Sequence, residues 1–127
     1  MLFGVIRPGF DVEGGANAYL VDGHCFFATY NGRRYPAPND WEGMQGATQQ
    51  GDRIGMLLDL DQGSMTVWKN DVQLGVMQSE GLSGPLCWAA SLFDQGDSAR
   101  IESAPAPPSP TEEELATAKA WQEAHPY

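Results

Sequence analysis

Basic charge is scarce in this chain. Seven lysines and arginines stand against 17 aspartates and glutamates in 127 residues, a formal net charge of −10. Such a surface repels phosphate backbones and anionic lipid, so neither a nucleic acid nor a membrane is expected as a partner. Cysteine is almost absent. Cys25 and Cys87 lie far apart, without CxxC spacing, which gives no zinc or redox motif. Each is flanked by apolar or aromatic residues, so both are expected to be small buried hydrophobes, and a single disulfide between them stays open. Histidine is limited to His24 and His125, and no local nucleophile motif supports a thiolate site at Cys25. There is no phosphate-cradling loop, because Gly14-Gly15 is not followed by GK[ST] and no GxGxxG precedes a helix. Asp59 and Asp61 are two apart and point the same way, but D-L-D-Q-G lacks the remaining calcium ligands and reads as a turn. Catalytic residues, a metal and a cofactor are therefore not expected, and the chain is read as a non-enzyme. Long apolar runs are missing too. Met1 to Ile6 is cut short by Arg7-Pro8-Gly9 and lacks a basic n-region, so neither a signal peptide nor a membrane span is expected. The expected setting, by default, is intracellular and cytoplasmic.

What is present is glycine (15), proline (9) and short apolar runs, with 42% hydrophobic residues overall. That pattern suits strands joined by tight turns around one core. Leu2 to Ile6, Ala16 to Val21, His24 to Tyr30 and Arg33 to Tyr35 read as strands, with Asp22-Gly23 and Asn31-Gly32 as hairpin turns. Residues 36–50 read as a long loop. Arg53 to Leu60 is a nearly continuous apolar strand, expected to be covered on both faces. Ser64 to Trp68 alternates, with Met65 and Val67 on one face and Thr66 and Trp68 on the other. Asn70-Asp71 turns the chain into Gln73 to Met77. Leu86 to Phe93 is a long apolar strand, and Arg100 to Glu102 a last short one. Trp68 and Trp88, both mid-strand, are expected in the core. The fold class is all-β, an antiparallel β-sandwich.

Composition changes at Ser103. Residues 104–110, APAPPSP, read as a polyproline-like linker. Pro105-x-x-Pro108 and Pro107-x-x-Pro110 resemble SH3 ligands, but no nearby cation supports them and a spacer is the preferred reading. Thr111 with Glu114 three residues on forms a capping box, and the acidic first turn suits a helix dipole. Residues 111–127 are thus a short acidic-capped helical tail, with Leu115, Ala118 and Trp121 as a narrow apolar stripe.

Gly51-Asp52-Arg53-Ile54-Gly55, Val67-Trp68-Lys69-Asn70, Leu74-Gly75-Val76 and Pro85-Leu86-Cys87-Trp88-Ala89-Ala90-Ser91-Leu92 resemble, in this order, the signature of the SPRY family. The resemblance covers roughly residues 2–103. It implies a concanavalin-like jelly-roll sandwich, here with a short C-terminal helix after the Pro-rich linker. It also implies a protein-interaction module that binds a peptide or loop of a partner. Family members usually carry further strands before the Phe3-Gly4-Val5 strand, so residues 1–103 read as an N-terminally incomplete SPRY domain. Apolar surface and open strand edges are then expected, and with them aggregation or self-association.

The resemblance places ligands on loops at one end of the sandwich. Phe93, Asp94 and Gln95, just after the last apolar strand, are the first candidates. Trp41, Asn70 and Asp71 are expected to join them in one patch if consecutive strands run antiparallel. The loop after the first strand adds Arg7, Pro8, Phe10 and Asp11. An aromatic rimmed by polar residues is a candidate hot spot. Lectin-like sugar binding is a second reading, with Trp41 beside Asn39 and Asp40 as the aromatic–polar cluster, though it rests on fold analogy alone; a structural fragment of a larger SPRY protein with no independent binding is the third.

Overall fold

The computed structural model describes residues 1–11, 13–14, 17–47, 49, 51–92, 98–100, 102, 105 and 107–125. Strands β1 (Leu2–Ile6), β2 (Cys25–Ala28), β3 (Arg34–Tyr35), β4 (Ile54–Asp59), β5 (Ser64–Lys69), β6 (Val72–Gln78) and β7 (Cys87–Ser91) are followed by α1 (Glu112–Ala124). They form two antiparallel sheets, one ordered β3-β2-β1-β7 and the other β4-β5-β6.

Alternation along the strands builds the core. On β2, Cys25 and Phe27 face the other sheet and join Val5, Met65, Val67 and Met77 in one buried cluster. Phe26 and Ala28 face the opposite way and form a second cluster with Leu2, covered by Ala18, Tyr19 and Tyr35. The first sheet is therefore buried on both faces near β2. In the second sheet it is β5 that is covered on both faces, with Ser64, Met65, Thr66 and Val67 all buried. The apolar run of β4 has no such cover: β4 is an edge strand, and none of its residues is fully buried. Arg34 of β3 donates from Nη1 to the Met77 carbonyl of β6 at 3.1 Å, which ties the two layers together.

Several elements depart from the sequence reading. Residues 18–20 form a 3-10 turn rather than a strand, and His24 is the reason. Its buried ring contacts the Ala18 carbonyl through Nδ1 at 2.9 Å, and Nε2 accepts from the Arg7 N–H at 3.0 Å. Because Nε2 is the acceptor, the proton sits on Nδ1 and donates to Ala18. This segment serves to pin loops, not to pair with a strand. The β2–β3 connection is wider than the two-residue turn expected at Asn31-Gly32, since only Gly32 has positive φ (78°). Arg100 and Glu102 pair as an exposed ion pair but belong to no strand. Cys87 is exposed, only Cys25 is buried, and both thiols are free.

The tail docks. Thr111 Oγ1 accepts from Glu114 N, and the Glu114 carboxylate accepts from Thr111 N, the capping box read from the sequence. Ala118 is buried, α1 lies along β6, Gln73 donates to Glu114, and Gln122 donates to the Asp40 carbonyl at 2.9 Å. Trp121 is half-buried and stacks on His125 with ring centroids 3.9 Å apart.

Candidate interaction surfaces

Three places offer exposed groups on a fixed frame. The first is the β5–β6 turn. Asn70 and Asp71 both have positive φ (51° and 68°), as a two-residue type I′ hairpin requires. Asn70 Oδ1 accepts from Arg53 N at 2.9 Å and its Nδ2 donates to Asp52 Oδ1 at 3.1 Å. Arg53 also bonds Asp71 side chain to side chain. The Asn70 bond, then the Gln49 N–H, hold the Asp52 carboxyl below its ordinary range. Asn70, Asp71 and Arg53 each keep solvent contact, yet each is held by a neighbour.

The second is the loop after β1. Arg7, Pro8 and Asp11 are exposed and Phe10 is half-buried. Phe10 turns its edge onto His24 with centroids 5.1 Å apart, so its ring is already engaged. The Arg7 guanidinium lies against Gly23.

The third is β7, which no sequence signal marked. Trp88 is 54% exposed and Leu92 47%, against the expectation of a core tryptophan. Trp88 pairs with Val5 and Ala90 with Phe3 across the β1–β7 ladder, so both point toward the second sheet. They are nonetheless exposed because that sheet does not reach them.

These places are not one patch. Ile6 pairs with Cys87 and Leu2 with Ser91, so Arg7 leaves β1 at the end where β7 begins. The segment after β7 leaves from the other end; Phe93, Asp94 and Gln95 themselves lie outside the described residues. Gly84, just before β7, lies against Leu60, which puts the β4–β5 turn at the Arg7 end and turns Asn70-Asp71 toward the exit of β7. Trp41 belongs to neither end. It is 2% exposed, donates from Nε1 to the Gly32 carbonyl at 2.6 Å and meets Phe27 edge-on. Its ring completes the core, which removes it from the interaction patch and removes the aromatic platform that sugar binding needed.

Two shallow grooves flank α1. One, of about 310 Å³, is lined by Glu80, Leu115 and Lys119 among others, and its Lys119 and Glu80 are paired at 3.6 Å. The other, about 170 Å³, gathers Glu42, Glu113 and Glu114. Among the described residues no group of three metal-ligating side chains occurs, and no helix is long and apolar enough to cross a membrane. Burial pushes the Cys25 thiol up to about 12, partly countered by Arg34 nearby, so it is held as a neutral thiol. Comparison of the chain with family models, curated proteins and solved structures gives no match.

Proposed function

We propose that the chain is a protein-interaction module of the SPRY kind, which binds a peptide or loop of a partner protein at the end of the two sheets where Asn70 and Asp71 lie. The observation that carries this reading is the Asn70-Asp71 turn, exposed to solvent yet fixed to Asp52 and Arg53 of the neighbouring segment. A donor and acceptor set held in this way loses little conformational entropy when a ligand arrives. The resemblance of residues 51–92 to the SPRY signature supports it, as does the run of β7 toward the same end, which carries the chain on to Phe93, Asp94 and Gln95. Binding would rest on backbone and side-chain hydrogen bonds at the turn, with Phe93 as the aromatic contact.

The test is proton–nitrogen NMR of the whole chain titrated with a pool of random peptides. Shifts clustering at residues 52–53, 70–71 and 93–95, weakened about tenfold by Phe93→Ala with Asp94→Ala, are the expected result, since loss of an aromatic contact costs on the order of 1–2 kcal/mol. Binding that survives both substitutions, or shifts confined to the Arg7 end, would mean that the surface is wrongly assigned.

A further inference from the structure

The two layers are unequal. Arg34 of β3 bonds to Met77 of β6, so β3 lies over β6. Counting across from there, β2 and β1 are matched by β5 and β4, and among the described residues β7 has no strand opposite it. Its inward-pointing residues are left bare, Trp88 at 54% exposure and Ala90 beside it, and Cys87 on the opposite face is exposed as well. Neighbouring strands are about 4.8 Å apart and stacked sheets about 10 Å, so the uncovered strip has the width of one strand.

The edge beside that strip is β4, and among the described residues no strand pairs with its outer side. Asn70 N donates to the Arg53 carbonyl, which fixes the ladder phase. Arg53, Gly55, Leu57 and Asp59 therefore turn their backbone groups toward β5, while Ile54, Met56 and Leu58 turn theirs outward. Those outward N–H and C=O groups have no strand partner among the described residues. Free edge groups next to bare apolar side chains ask for one kind of occupant. Helices satisfy their own backbone groups; only an extended strand fills the strip and completes the ladder.

The geometry points to β-strand addition on β4, in which an extended segment of another protein, apolar at alternate residues and basic at its ends, covers Trp88 and Ala90. The basic ends follow from charge. Asp52 precedes β4, and Asp59 and Asp61 close it. A second copy is the poorer occupant, because it brings together two chains of net charge −10 each, a repulsion that Arg53 of one chain facing Asp59 of the other in antiparallel β4–β4 pairing only partly offsets. This surface is separate from the Asn70-Asp71 end and does not depend on the function proposed there.

The probe is a synthetic peptide of about nine residues, alternating valine with threonine and carrying lysine at both ends, a length that matches an ordinary strand. Amide hydrogen exchange on the full chain should slow at Met56 and Leu58, and tryptophan emission should shift to the blue. The same peptide N-methylated at alternate amides should give neither effect. Trp88→Lys, at an exposed position, should weaken binding about tenfold or more, in line with loss of an aromatic anchor. The proposal is overturned if Met56 and Leu58 show no protection, if the methylated peptide binds equally well, or if sedimentation shows that the chain closes this edge by dimerising.

Discussion

Gly4 has no room for a side chain. A Cβ there would stand 1.9 Å from the Cys25 carbonyl oxygen on the paired strand, and neither backbone can yield inside a sheet buried on both faces. Gly4→Ala is expected to abolish the cooperative urea transition. At Trp41 two terms separate. Trp41→Phe keeps most of the ring but orphans the Gly32 carbonyl, a loss of about 1–3 kcal/mol. Trp41→Ala empties the site as well and should cost about 3–5 kcal/mol. The thiols give a chemical check on the same burial. Cys87 should react with a thiol reagent in the native state, and Cys25 only after denaturation. Because the Cys25 thiol is raised from 9.0 to about 12, the unfolded chain loses this proton first on alkalinisation. Its contribution is complete below pH 9 and fades as pH climbs toward 12, by at most about 1.4 kcal/mol per pH unit. Cys25→Ala should flatten that part of the stability curve. Sequence alone assigned the wrong exposure to both Trp41 and Trp88, and to Cys87. Each residue's exposure depends on which layer lies overhead, and that is a long-range fact that its neighbours in the chain do not carry.

Elements were far easier to read than exposure. β1, β2 and β4 to β7 follow from two-residue alternation or short apolar runs, and α1 from its capping box, because these signals are local. The failures come where a distant group takes over. The 3-10 turn at residues 18–20 exists because His24 takes the Ala18 carbonyl, and no periodicity announces that bond. The Asn70-Asp71 turn was legible as a turn, and its two positive φ values explain why these residue types stand there. Asn70→Ala should lose the Arg53 and Asp52 bonds and force alanine into the left-handed region, costing about 1–3 kcal/mol by chemical denaturation. The helix offers a cleaner separation of local and tertiary terms. Thr111→Ala removes the cap alone, about 1 kcal/mol. Ala118→Asp buries a charge against the sheet and should release α1, seen as loss of amide protection over residues 112–124 while β5 keeps its own.

At the scale of the whole molecule, charge decides how salt acts. The ion pairs among the described residues, Arg33–Asp40, Arg53–Asp71, Arg100–Glu102 and Lys119–Glu80, join side chains at least half exposed or nearly so. Such pairs contribute little, about 0–1 kcal/mol each, and salt weakens them. Against them stands the repulsion among carboxylates that no cation can match, since the chain carries ten more acidic than basic charges. One of the few cations, Arg34, is withdrawn into the space between the sheets, where burial lowers its pKa and no carboxylate among the described residues bonds to it. Salt at ~0.5 M shortens the screening length to a few ångström and suppresses the long-range repulsion more than contacts already formed. The urea midpoint is therefore expected to rise with sodium chloride, by an amount equivalent to roughly 1 kcal/mol. A midpoint that falls would mean that the surface pairs outweigh the excess charge. In that case the acidic balance would be a property of the surface alone, without weight in the stability of the two layers.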